Sequence, residues 1–97
     1  MKRESKIQSE IIRTVKIRLP GSIVLKTDPT YIQGFPDLLV IYKSKWAALE
    51  VKRSEKAHHQ PNQDYYVRKL NQNGFASFIY PSNKDAVIKS MTNYLRR

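Results

Sequence analysis

Two short apolar runs, Leu38-Leu39-Val40-Ile41-Tyr42 and Trp46-Ala47-Ala48-Leu49, flank a polar Lys43-Ser44-Lys45 turn. On the side away from the turn each run meets a carboxylate, Asp37 before the first and Glu50 after the second. Runs of this length, rich in branched and aromatic residues, predict a hairpin over residues 37–42 and 46–52. Period-two alternation sends Trp46, Ala48, Glu50 and Lys52 to one face and Ala47, Leu49 and Val51 to the other. The turn decides where Asp37 falls. A two-residue turn sets it across from Glu50 or Lys52 on their face, and a three-residue turn sends it to the opposite one. In the first case two carboxylates and an amine converge at the open end of the hairpin. Such a cluster can hold a divalent cation with a water beside it.

The chemistry suits phosphodiester hydrolysis. Mg²⁺ takes hard oxygen ligands and keeps several waters, so one or two protein carboxylates hold it. Bound there, it acidifies a water and neutralises charge on phosphoryl oxygens. Lys52 would orient or deprotonate the attacking water, or stabilise the transition state as a point charge. Each residue also has a plainer reading. Asp37 could simply begin a strand, since Asp is common at turn exits. Glu50 is harder to dismiss, because an acid within a Trp-Ala-Leu-Val strand needs a partner or a metal. Its plainer alternative is an ion pair with Lys52 or Lys43 on an exposed face.

The rest of the chain predicts a helix over residues 5–19, with Ile7, Ile11, Val15 and Leu19 recurring every four residues and Ser5 with Gln8 as a capping box. A first strand over residues 22–27 follows, then a loop over residues 28–35 broken by Pro29 and Gly34. After the hairpin comes a polar connection over residues 53–60, then a helix from Pro61 to about residue 73, capped by Gly74. Residues 75–80 read as a fourth strand. Ser82 with Asp85 can cap a last helix, whose Val87, Met91, Tyr94 and Leu95 form an apolar stripe. The order αβββαβα predicts a three-layer α/β sandwich around a four-stranded mixed sheet, as one domain over residues 1–97.

Gln63 shares a helix face with Tyr66, Val67 and Leu70, so it faces the core and needs a hydrogen-bonding task. Reaching the catalytic water, Lys52 or a phosphate would supply one, as would satisfying free N–H groups of the first helical turn. Glu10 lies beside Thr14 and Ile17 at the margin of the first helix's apolar face, and Glu4 precedes the stripe. His58 and His59 point apart on an extended segment and read as loop residues near a phosphate backbone. Tyr31, in the loop before Asp37, is equally compatible with stacking on a base or packing under the sheet.

Pro36-Asp37 and Glu50-Val51-Lys52 resemble the two halves of the motif of the PD-(D/E)xK nuclease superfamily. Gly34-Phe35-Pro36-Asp37-Leu38 is similar to the G-x-P-D-L/I entry of its VRR-NUC branch, and Leu49-Glu50-Val51-Lys52-Arg53 to that branch's second strand. Gln63, Leu70 and Gly74 match the branch's glutamine-bearing helix, and Glu10 falls where the superfamily often has an additional acid. The archaeal Holliday-junction resolvases share the order of elements. The resemblance implies a restriction-endonuclease-like fold and a Mg²⁺- or Mn²⁺-dependent endodeoxyribonuclease. It implies Asp37, Glu50, the Val51 carbonyl and Glu10 as metal ligands, and Asp37, Glu50, Lys52 and Gln63 as catalytic residues. Stand-alone members of the branch are structure-specific, which implies a branched or Holliday-junction DNA substrate. The rival expectations are a DNA-binding module that has the fold without catalysis, and a sequence-specific restriction-like nuclease.

Charge agrees with a polyanionic partner: the 97 residues carry a formal +10, and three of only eight acids belong to the expected site. The absence of cysteine excludes disulfides and thiolate zinc sites and is compatible with an intracellular setting. No run reaches the roughly 20 apolar residues of a membrane span. Two symmetric cuts in a junction call for a homodimer, with Ile12 and Ile17 or Tyr94 and Leu95 as the expected interface.

Overall fold

Ile7, Ile11 and Val15 lie on one side of a helix, and that stripe sets where the first element packs. In the computed structural model, which describes residues 2–97, α1 spans Glu4–Arg18 and buries these three side chains. It is followed by β1 (Ile23–Lys26), β2 (Leu38–Tyr42), β3 (Lys45–Val51), α2 (Gln63–Asn73), β4 (Phe75–Ile79) and α3 (Lys84–Arg96). The order is the expected αβββαβα. The four strands form one sheet in sequence order, antiparallel from β1 to β3 and parallel between β3 and β4.

Strand alternation divides the core in two. Leu38, Val40, Ala47, Leu49, Val51 and Ile79 pack against the buried stripes of α1 and α3. On the other face Leu39, Trp46, Ala48, Ala76 and Phe78 meet Val67 and Leu70 of α2. Helices therefore cover both faces of a mixed sheet, a three-layer sandwich.

Tyr42 pairs with Lys45, leaving Lys43 and Ser44 as a two-residue turn, and Lys43 takes the positive φ of 57° that a tight hairpin turn requires. This turn settles the face of Asp37. The register of Leu38 with Leu49 continues to bring Asp37 opposite Glu50, on the α2 side of the sheet.

The helix starts depart from the sequence expectation. Ser5 lies inside α1, behind an N-cap at Arg3 that makes no side-chain cap, so Ser5 and Gln8 form no capping box. At α3 the N-cap is Asn83 rather than Ser82, and its amide is turned to the sheet. It accepts from the Tyr80 N–H at 2.8 Å and donates to the Phe78 carbonyl at 3.2 Å. Gly74 follows α2 as expected but with an extended φ of −173°, so it is no left-handed cap. Its missing side chain serves packing, because a Cβ there would sit 2.7 Å from the Trp46 ring.

Candidate active site

Three elements deliver side chains to the end of the sheet beyond the last pairs of β2 and β3. Asp37 stands just before β2. Its Oδ2 accepts the Val51 N–H at 2.9 Å, so the carboxylate continues the ladder where the backbone pairing stops. A residue's N–H and C=O leave a strand on the same side, so the Val51 carbonyl faces the same gap. Glu50 is 3% exposed among apolar neighbours. Its Oε2 accepts from Gln63 Nε2 at 3.0 Å, while its Oε1 is buried without a hydrogen-bond partner among the described residues. Gln63 opens α2 and serves two groups at once, since its Oε1 also accepts the Gln60 N–H at 2.8 Å. Its partners are thus a site acid and the connection before α2, not Lys52 and not an N–H of the first helical turn.

Lys52 follows Glu50 on the same face and is 4% exposed. Its Nζ donates to the His58 carbonyl at 3.0 Å, and its N–H pairs with the Ile79 carbonyl at 2.9 Å. The charge of Lys52 favours the ionised forms of both carboxyls, yet burial wins over it. Desolvation is the leading reason that Asp37 is raised above its usual range. Desolvation also leads for Glu50, which is pushed up to about 8, with the facing Asp37 carboxylate adding to it. Two acids facing each other cannot both ionise cheaply, so the metal-free pair holds on to a proton well above the usual carboxylate range.

Glu10 is not brought to this cluster. Its Oε1 is paired with Lys2 Nζ at 2.8 Å, and that hydrogen bond chiefly lowers its pKa. The acid of α1 whose charge the pair feels is Glu4, which makes no metal-holding group of three with them among the described residues. Its Oε2 accepts the Arg53 N–H at 3.2 Å, and its charge adds to the raising of both Asp37 and Glu50. Glu4 stands at the exposed start of α1, one turn before Ile7 opens the buried stripe.

The donor set fits a hard divalent cation. Facing carboxylates, a backbone carbonyl toward the same gap and a buried carboxylate oxygen with no partner are the oxygen ligands such an ion takes. A carboxylate raised by burial and by a facing acid is the kind of perturbed group that clusters at functional sites.

No protein-family model and no curated protein sequence matches this chain. Solved structures do. One described as a VRR_NUC domain superposes with a TM-score of 0.72 at 22% identity, over 92% of this chain and 97% of that one. Another, described as a VRR_NUC domain protein, gives 0.68 at 16% identity over 99% and 92%. The chain thus has the fold of VRR_NUC domains along nearly its whole length.

Proposed function

We propose that the protein is a divalent-cation-dependent endonuclease that hydrolyses phosphodiester bonds in DNA, with branched or junction DNA as its substrate. The observation that carries this reading is the Asp37–Glu50 pair, with its orphaned buried oxygen, in a chain of formal charge +10. Asp37, Glu50 and the Val51 carbonyl would hold Mg²⁺, with Mn²⁺ able to substitute. When bound, the cation would acidify a water and neutralise charge developing on the phosphoryl oxygens.

The chain's own residues do the remaining work. The Val51 N–H fixes one Asp37 oxygen, and Gln63 fixes one Glu50 oxygen, so the free oxygens are aimed before substrate arrives. Lys52 brings a positive charge to the same end of β3, where it can steady the attacking water or a phosphoryl oxygen. Lysines and arginines along the hairpin, the strand leaving it and α1 supply the backbone contacts that bind DNA without regard to sequence. The working form is a two-fold dimer, which places two sites for paired cuts.

Labelled duplex, flap and four-way-junction DNA, incubated with Mg²⁺, Mn²⁺ or EDTA, test the reading. Cleavage with either metal and none in EDTA is expected. Asp37→Ala, Glu50→Ala and Lys52→Ala should each lose cleavage by orders of magnitude while still retarding DNA in a gel. Retardation by the wild type without cleavage of any substrate would leave a DNA-binding module instead.

A further inference from the structure

The Lys52 amine is not held by the carboxylates. Its one hydrogen bond goes to a backbone carbonyl, that of His58, on the connection between β3 and α2. A buried amine placed this way is located by whatever locates that carbonyl, and the connection is anchored by its next residues.

The His59 ring lies flat on Phe78, 4.2 Å between centroids and 18° between planes. Phe78 is the β4 neighbour of Glu50, so the histidine lies one strand over from the carboxylates. Its edge is fixed as well, with Nδ1 2.8 Å from Asp64 Oδ1 in the first turn of α2. One residue further on, the Gln60 N–H is held by Gln63 Oε1. Beyond that, Pro61 and Asn62 back onto Gly34, where even a Cβ would come within 2.6 Å of the Asn62 Cβ. The segment after His58 is thus pinned by stacking, by Asp64, by Gln63 and by the loop that carries Asp37.

On the reading of this chain as a nuclease, we infer that His59 and Asp64 are positioning residues for Lys52. The His59–Asp64 pair holds the His58 carbonyl where the buried amine needs an acceptor, and so sets the amine beside the two carboxyls. Without the pair, the amine keeps its charge but loses its place, and a displacement of about 1 Å at a reacting centre can cost on the order of 100-fold in rate.

Two readouts test this. In cleavage assays His59→Ala and Asp64→Ala should lower kcat by about 10- to 100-fold with KM little changed. Asp64→Asn, which keeps an oxygen acceptor for Nδ1–H, should restore most of the rate. In a Lys52→Ala background neither alanine variant should cost anything further, because residues acting through one group are non-additive. A full additional loss there would overturn the proposal by giving His59 a role independent of Lys52. The second readout needs no cleavage. In the metal-free protein, amine-reactive labelling followed by mass spectrometry should find Lys52 slow in the wild type and in Asp64→Asn, and at least about tenfold faster in His59→Ala and Asp64→Ala. Lys52 remaining protected in both alanine variants would overturn the proposal even if the chain cleaves DNA. Faster labelling would sustain the positioning even if it cleaves none. Asp64 is a largely exposed side chain, so Asp64→Ala leaves the fold intact should His59→Ala disturb it.

Discussion

Glu50 has one carboxylate oxygen on Gln63 and the other on nothing, beside a second acid and a buried amine. Its raised pKa of about 8, caused first by burial, has a consequence for stability. Between the unfolded value near 4.5 and about 8, the folded protein holds a proton that the unfolded chain has released. Metal-free stability should therefore be highest toward pH 5, fall as the pH rises through that window, and level off above it. The raised Asp37 works in the same direction. Thermal melts in EDTA from pH 5 to 9 should show this decline, and Glu50→Gln should flatten it and melt higher than the wild type at pH 8. Mg²⁺ must displace the same proton, so its stabilising effect should grow with pH over the window. A wild type equally stable at pH 5 and pH 8 in EDTA would mean that Glu50 is ionised in the fold. At this scale the acid pair was legible in the sequence, because a carboxylate in a buried strand has few alternatives. Glu10 was harder to read, because its pairing with Lys2 joins the helix to residues before its first turn, where no periodicity applies. The partners of Lys52 and His59 depend on a connection whose path no periodicity encodes.

Elements meet the site through their ends, and the loop before β2 is the tightest of these joints. The Thr27 N–H bonds to the Asp37 carbonyl at 2.9 Å and its Oγ1 to the Pro36 carbonyl at 2.7 Å, closing the loop at its root. Within it, Gly34 has φ +88° and lies against Pro61 and Asn62. Gly34→Ala meets both penalties, a left-handed backbone and a Cβ 2.7 Å from the Pro61 carbonyl oxygen. It should cost about 1–3 kcal/mol, a drop of at least roughly 4 °C in Tm for a domain of this size. It should also slow cleavage beyond what the lost stability explains, because the loop and the start of α2 must part, carrying Asp37 away from Gln63. A melt within 1 °C of the wild type, by about the same scale, would mean that the joint is loose. Strands and helices were readable here because each carries a strong apolar period. Their N-caps were not, because Ser5 and Ser82 satisfied local patterns that the fold does not use, whereas Gly74 does end α2. Asn83 serves the sheet instead, and Gly74 makes room for Trp46.

The two faces of the sheet are unequally covered, and this bears on how whole molecules associate. α1 and α3 close one face, while α2 lies over the β3 and β4 part of the other. The uncovered part is apolar. Ile23 and Leu25 pair with Ile41 and Leu39 on that face and remain 58% and 39% exposed. Beside them a groove of about 420 Å³ is lined by Phe35, Leu39, Ile41, Trp46 and Leu70, with the turn residues Lys43, Ser44 and Lys45 closing one end, while the Lys45 ammonium itself turns away to Tyr94. The helix faces expected to pair offer less: Leu95 is buried, Ile12 and Tyr94 pack on the core, and of the four only Ile17 stands exposed. A two-fold contact through the open sheet face would bury apolar side chains against their own copies, as an isologous interface requires. Opposing it is the formal +10 of each chain, a repulsion that salt screens. Light scattering should therefore find the dimer favoured as ionic strength rises from about 0.05 to 0.5 M, the reverse of the salt dependence of DNA binding. Ile23→Glu and Leu25→Glu should each give monomers. Trp46 is the one tryptophan and lines the groove, so its emission should shift to the red as the wild type is diluted, but not in the glutamate variants. Monomers at every salt concentration, with a Trp46 emission indifferent to dilution, would leave the sheet face open and require a single chain to make both cuts in turn.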